Sequence, residues 1–318
     1  MRVGINLINF GPGVTPESLA RSAELAESLG YHLVMISDHV AITPDVQALY
    51  PAPFYDPFIT LGWLTALTRR VELGTTVIIL PYRHPLQTAR MAANLDRLSG
   101  GRLILGIGAG WYQHEYEAYG YEYPETPERL RMLRESLQVL KAMWTQESAT
   151  FEGRYYKVRG AINEPKPVQK PHPPIWIGGA GEKVTLKLVA QYGDACNFNA
   201  DVETVRHKLE VLRGHCDTVG RDYDSILKTI EFYTILGDRR EIDRVVADHA
   251  RRTGKDESYI REWHPLHGDA DRIAEIIQEY ADQGIQYFIV NVPNAAEGGV
   301  IARFAQEVFP KLGLRAGV

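Results

Sequence analysis

A chain of 318 residues, 45% hydrophobic and 24% charged, is long enough to bury one sizeable core or two modest ones, and its composition is neither disordered nor fibrous. Its net charge of -5 carries no basic block, which excludes a nucleic-acid partner, and no apolar run is long enough to span a bilayer. The two cysteines, Cys196 and Cys216, cannot build a disulfide framework, so the expectation is a cytoplasmic protein with reduced core thiols and no membrane partner.

The chain opens on a strand, Val3 to Ile8. Thr15-Pro16 then caps a helix whose Leu19, Ala23, Ala26 and Leu29 share one face and which Gly30 ends. Leu33 to Ser37 is a second strand, finishing at Asp38 and His39. A proline- and aromatic-rich loop over 44–57 leads to a helix over Phe58 to Leu67, and Val71 to Leu80 reads as a third strand. Gly74 interrupts that β-branched run, which predicts a bulge or a close backbone approach where a ring could press.

After a helix over Leu86 to Leu98, Arg102 opens a fourth strand. Leu103, Ile104, Leu105 and Ile107 are its apolar residues, and Gly106, Gly108 and Gly110 remove side chains where it should end. Bare N–H groups there suit an anion or a flat ring, and Trp111 follows at once. Thr126-Pro127 starts a long helix with a buried stripe of Leu130, Leu133, Leu137, Leu140 and Trp144. A small hairpin over Thr150 to Val158 and a proline-rich excursion precede a fifth strand, Ile175 to Ile177. That strand runs into Gly178-Gly179-Ala180-Gly181 and a helix over Glu182 to Tyr192. The sixth and seventh strands are Ala195 to Asn199 and Leu227 to Leu236. A charged, locally helical segment reaches Gly268, and Tyr287 to Val292 is the eighth strand.

Eight strand-then-helix units predict an α/β fold, a (β/α)8 TIM barrel with insertions after strands four and seven. It forms a single domain over residues 1–318, with insertion segments at about 112–126, 150–174 and 238–268. In such a barrel the unusual residues Asn6, His39, Thr76, 108–111, 178–181 and 197–199 fall at the C-terminal ends of strands, where a site belongs. His264 and His267 have a spacing seen in metal sites, but no third ligand accompanies them and no metal is expected.

Taken in order, Ser37-Asp38-His39, Leu73-Gly74-Thr75-Thr76-Val77, Leu98-Ser99-Gly100-Gly101-Arg102, 106–111 and 171–179 resemble the luciferase-like monooxygenase superfamily. More narrowly, they are similar to its branch of oxidoreductases dependent on the deazaflavin coenzyme F420. The resemblance implies a non-prolyl cis peptide at Thr76-Val77 in a bulged third strand, with Thr75, Thr76 and Val77 against the cofactor ring. It implies that Ala109, Gly110, Gly178, Gly179 and Ala180 meet the cofactor's phosphate end, and that Asp38 lies near the two-carbonyl edge of the ring. It aligns His39 with the histidine at the reacting centre, and a homodimer is common in the branch. An imidazole ordinarily titrates near neutrality, so His39 is the candidate catalytic residue, giving or taking a proton. Trp111, Tyr112, Phe54 and Tyr55 are candidates for the wall of a substrate pocket.

The chain departs from the sugar-phosphate dehydrogenases of that branch. Thr43, with Ile42 beside it, stands where they carry a tryptophan, and Trp111 stands where they carry a glutamate. An acidic proton donor is therefore expected to be missing, and a less polar small-molecule substrate is favoured. Three readings stay open: hydride transfer between F420 and a small organic substrate, an FMN-dependent monooxygenase using oxygen, and a flavin- or deazaflavin-binding protein without turnover. A hydrolase on the same barrel is disfavoured, since the strand ends lack paired carboxylates.

Overall fold

The computed structural model describes residues 1–39, 43–45, 47, 50–263, 265–292 and 298–315, the side chain of residue 263 excepted. In chain order the first elements are β1 (Arg2–Leu7), α1 (Pro16–Ser28), β2 (Leu33–Ile36), α2 (Pro57–Leu67), β3 (Glu72–Thr75), β4 (Ile78–Ile79), α3 (Pro85–Ser99), β5 (Leu103–Gly108) and α4 (Gln113–Ala118). Then follow α5 (Thr126–Thr145), β6 (Ala149–Glu152), β7 (Lys157–Ala161), β8 (Ile175–Gly178), α6 (Thr185–Tyr192), β9 (Ala195–Phe198) and α7 (Val202–Val219). The chain ends with β10 (Leu227–Leu236), α8 (Arg239–Thr253), α9 (Glu257–Trp263), β11 (Leu266–Gly268), α10 (Ala270–Asp282), β12 (Tyr287–Asn291) and α11 (Gly299–Glu307).

Parallel pairing runs β12-β1-β2-β3-β5-β8-β9-β10, and β10 pairs with β12 as well as β9, so eight strands close on themselves. This is the (β/α)8 barrel that the alternation of elements predicts. Side chains alternate across each strand. Those facing outward join the helices in the main core, while Leu33, Met35, Ile104, Trp176, Ala195, Tyr287 and Ile289 fill the barrel interior. The helix signals act as the sequence implies. Thr15 and Ser18 form a reciprocal capping box on α1, and Gly100, at φ +70°, ends α3 in the left-handed conformation that favours glycine.

Three expectations need correction. The third strand is not one strand over Val71 to Leu80: it breaks after Thr75, the Thr76-Val77 peptide is cis, and a two-residue β4 resumes pairing on β5 before a 3-10 turn at Leu80–Tyr82. Gly74 offers no face to a ring, because a Cβ there would lie 3.2 Å from both Leu33 Cδ1 and Met35 Cε in the packed interior. The segment to Gly268 is more ordered than an insertion of local helix suggests, since β11 pairs in parallel with the end of β10 outside the closed ring. Cys196 and Cys216 are buried free thiols.

Among the described residues, no helix is long and apolar enough to cross a membrane, and no cluster of His, Cys, Asp or Glu is arranged to hold a metal ion. Of the two histidines with metal-like spacing, His264 lies outside the described residues. His267 lines a cavity of about 780 Å³ between the ends of β10 and β11 and the helices behind them, together with Arg239, Arg261, Arg272 and Arg303.

Candidate functional site

β5 and β8 are hydrogen-bonded neighbours, and β3 flanks β5, so the three strand ends meet side by side at the C-terminal face. Here the glycines do something that their pattern does not reveal. A Cβ on Gly106 would sit 1.8 Å from the Thr75 carbonyl oxygen, one on Gly108 2.8 Å from Val77 Cγ2, and one on Gly178 3.1 Å from Val77 Cγ1. Gly106 and Gly108 lie within β5 and do not turn the chain; they and Gly178 leave room for the displaced end of the third strand. The Thr75 hydroxyl donates to Gly106 O at 2.7 Å and fastens the bulge.

The turns come one step later. Gly110 (φ +71°) and Gly179 (φ +113°) adopt the left-handed region. The space beside Gly110 is filled by the protein, as a Cβ would meet Ile79 Cγ2 at 2.7 Å, and the Gly179 N–H donates to Asn197 O at 3.2 Å. Among the described residues, the N–H groups of Ala109, Gly110, Ala180 and Gly181 meet no protein acceptor. α6, which begins just after, has no side-chain cap. Unpaired N–H groups beside an uncapped helix N-terminus suit an anion such as a phosphate.

Asp38 is committed to the frame. Its Oδ2 accepts from Arg83 Nη1 at 2.6 Å and from the Ile79 N–H at 2.9 Å, and its Oδ1 accepts from Arg83 Nη2 at 2.9 Å. Burial pushes this carboxyl above its ordinary pKa, and the Arg83 guanidinium opposes the shift. The pair therefore clamps β2 to the chain just beyond the cis peptide, and neither carboxylate oxygen is left without a donor.

His39 lies at the rim with its Nδ1 2.9 Å from Glu115 Oε2, and the Tyr82 hydroxyl donates to the same oxygen at 2.9 Å. The Glu115 side chain is fully buried and that of His39 nearly so. Tyr50 stacks on the imidazole at a centroid distance of 4.1 Å, and Phe54 meets it edge-on at 5.6 Å while stacking on Phe10. A carboxylate therefore does lie at this rim, four residues beyond Trp111 on α4, as the partner of the histidine. Phe54 belongs to the aromatic wall around His39. Trp111 is 55% exposed, and Tyr112 turns its hydroxyl to Asp45 Oδ2 at 2.6 Å. Asp45 also accepts from His114, so the chain after β5 hooks the loop after β2. That carboxylate lifts the His114 pKa, and burial, joined by the same carboxylate, pushes the Tyr112 hydroxyl up to about 12.

A second carboxylate has no counterpart in the sequence reading. Glu231 sits on β10, where Thr229, Glu231 and Tyr233 share the inward face, one layer above the packed interior. Its Oε2 accepts from Thr76 Oγ1 at 2.5 Å and its Oε1 from Asn6 Nδ2 at 3.2 Å; Asn291 supplies a further side-chain hydrogen bond. Asn6 also donates to Ser37 Oγ at 3.1 Å, and separately Thr229 donates to Asn197 Oδ1 at 2.8 Å. Burial raises the Glu231 carboxyl above its ordinary range against these three donors. The Thr229-Glu231-Tyr233 alternation, with Ile230 and Phe232 between, is the signal that marks it.

Comparison with known proteins adds the lineage. The sequence profile of the family described as luciferase-like monooxygenase matches residues 1–290. The protein Rv0953c of Mycobacterium tuberculosis is 34% identical over 236 residues, covering 70% of this chain and 80% of its own. The F420-dependent glucose-6-phosphate dehydrogenase of Kineococcus radiotolerans is 30% identical over 329 residues, covering 95% of this chain and 94% of its own. Among solved structures, an F420-dependent secondary alcohol dehydrogenase in complex with an F420-acetone adduct superposes with a TM-score of 0.82 at 21% identity, covering 98% of this chain and 99% of that one.

Proposed function

Because the chain belongs to the luciferase-like monooxygenase family, we propose that it is an F420-dependent oxidoreductase, moving a hydride between the deazaflavin and a small organic alcohol or carbonyl compound at the C-terminal mouth of the barrel. The observation that carries this reading is the match along nearly the whole chain to an F420-dependent dehydrogenase, with a histidine-glutamate pair at the rim of the corresponding fold.

The residues present suit the cofactor. The unpaired N–H groups at Ala109, Gly110, Ala180 and Gly181 fit its phosphate end, and the displaced third strand at Thr76-Val77, received by Gly108 and Gly178, offers a firm edge for a flat ring. When bound, F420 supplies the hydride chemistry, and the chain supplies position and protons. Asp38, held by Arg83, supports the strand end from behind and need not touch the ring. His39 gives or takes the proton of the substrate oxygen. Glu115 accepts from Nδ1, which orients the imidazole and leaves Nε2 as the nitrogen for that exchange.

Equilibrium fluorescence titration of the purified protein with F420 and with FMN tests the assignment. The expected result is saturable F420 binding and much weaker FMN binding. Tight FMN binding with none for F420 overturns the assignment in favour of oxygen chemistry, and binding of either cofactor without turnover on any alcohol or carbonyl favours a carrier.

A further inference from the structure

Hydride transfer from an alcohol to an oxidised deazaflavin leaves two protons to place. The C–H bond breaks and its electron pair goes to the cofactor, the O–H bond breaks and releases one proton, and the reduced ring takes up another. His39 accounts for one of them. We propose that Glu231 accounts for the other: at the floor of the mouth it delivers a proton to the reduced ring as the alcohol is oxidised, and it recovers that proton when a carbonyl compound is reduced. This inference rests on the oxidoreductase reading above.

The placement carries the argument. Glu231 pairs in register with Ile289 of the packed barrel interior, is half-buried, and reaches Thr76 at the displaced end of the third strand, on the side of the mouth. Its partners are all neutral: a hydroxyl from Thr76 at the displaced third strand, and amides from Asn6 on β1 and Asn291 on β12. No ion pair is formed at this carboxyl among the described residues, in contrast to Asp38 and Arg83. A carboxyl desolvated without a cation favours its neutral form and so can donate at a pH where an ordinary glutamate is spent.

The titratable groups facing it are few. Tyr233, two residues along the same strand, is hydrogen-bonded to Tyr50 from the loop after β2, and both phenols are pushed up by burial, Tyr50 to about 12. Glu115 lies beyond Tyr50, on the side of His39. Among the described residues, β1, the chain just after β3, β9 and β12 turn amides and hydroxyls toward this layer, through Asn6, Thr76, Asn197 and Asn291. The two carboxyl groups thus flank a tyrosine pair, one beside the rim histidine and one on the floor.

Infrared difference spectroscopy of the protein without cofactor and steady-state kinetics with F420 test the proposal together. The C=O stretch of the neutral carboxyl, followed as a function of pH, has a midpoint above the ordinary glutamate value of about 4.3, and Glu231→Gln removes it. The same variant binds F420 and loses about 10²-fold or more in kcat with little change in KM. Should Glu231→Gln not fold, Thr76→Val removes one donor to the carboxylate and moves the midpoint of that band to higher pH. The proposal is overturned if the midpoint of that band is no higher than that of an ordinary glutamate, if Thr76→Val leaves it in place, or if Glu231→Gln binds F420 and turns over within about threefold of the parent. Loss of the underlying reading looks different, because the unmodified protein then fails to bind F420 at all.

Discussion

Replacing His39 with glutamine lowers kcat by about 10²–10⁴-fold, the range that a positioned acid or base contributes, while F420 still binds. The imidazole is held from two sides, by Glu115 at 2.9 Å and by the Tyr50 ring at 4.1 Å, so its loss removes a proton carrier without opening the barrel core. Glu115→Gln acts through His39 and has a smaller effect, about tenfold or more in kcat at nearly constant KM. It keeps the shape of the side chain but removes the charge that favours one orientation and tautomer of the ring. A purely structural role for Glu115 would instead lower thermal stability and cofactor affinity together. Unchanged turnover in His39→Gln, with normal cofactor binding, removes His39 from the proton step.

The largest effect on stability belongs to Asp38. Asp38→Asn leaves the Arg83 guanidinium, whose side chain is only 14% exposed, with the exposed Asp56 carboxylate at 3.3 Å as its remaining counter-charge. It also weakens the acceptor for the Ile79 N–H just beyond the cis peptide. Breaking one side of a buried pair costs about 3–5 kcal/mol, because the remaining charge stays desolvated. At about 2 °C per kcal/mol for a chain of this size, Tm falls by roughly 6–10 °C. Circular dichroism melts of Asp38→Asn and of the double variant Asp38→Leu with Arg83→Met separate two causes. The double variant recovers much of the loss if uncompensated charge is responsible, and a fall of under about 2 °C in Asp38→Asn means that the clamp does not hold the strand end.

The barrel was legible because its signals are local. Apolar runs such as 103–107 and 287–292, punctuated by Gly30, Gly100 and Gly284, mark strands and helix ends wherever the rest of the chain goes. Much of the site was not, because its meaning depends on residues far apart. Gly108 and Gly178 look like openings for a ligand, and the space they leave is partly taken by Val77, from a different strand. Asp38 looks like a site carboxylate from its place at the end of the second strand, and nothing local shows that Arg83, 45 residues on, bonds both of its oxygens. Glu115 stands in the segment at about 112–126 that reads only as an insertion, and the short helix α4 brings it to His39. Glu231 was discoverable from the polar alternation of Thr229, Glu231 and Tyr233, a pattern that an outward-facing strand edge would share. The cis peptide at Thr76-Val77 was expected from family resemblance, and composition and periodicity carry no trace of it.

A single-turnover experiment addresses the central assignment most directly: the protein is mixed with oxidised F420 and a panel of small secondary alcohols, once under argon and once in air, and the deazaflavin absorbance is followed. Loss of that band at the same rate in both atmospheres, with one carbonyl product formed per cofactor reduced, is the outcome that hydride transfer requires, since a deazaflavin lacks the ring nitrogen through which a reduced flavin traps oxygen. A band that never bleaches, alongside oxygen uptake when reduced FMN is supplied in place of F420, contradicts it.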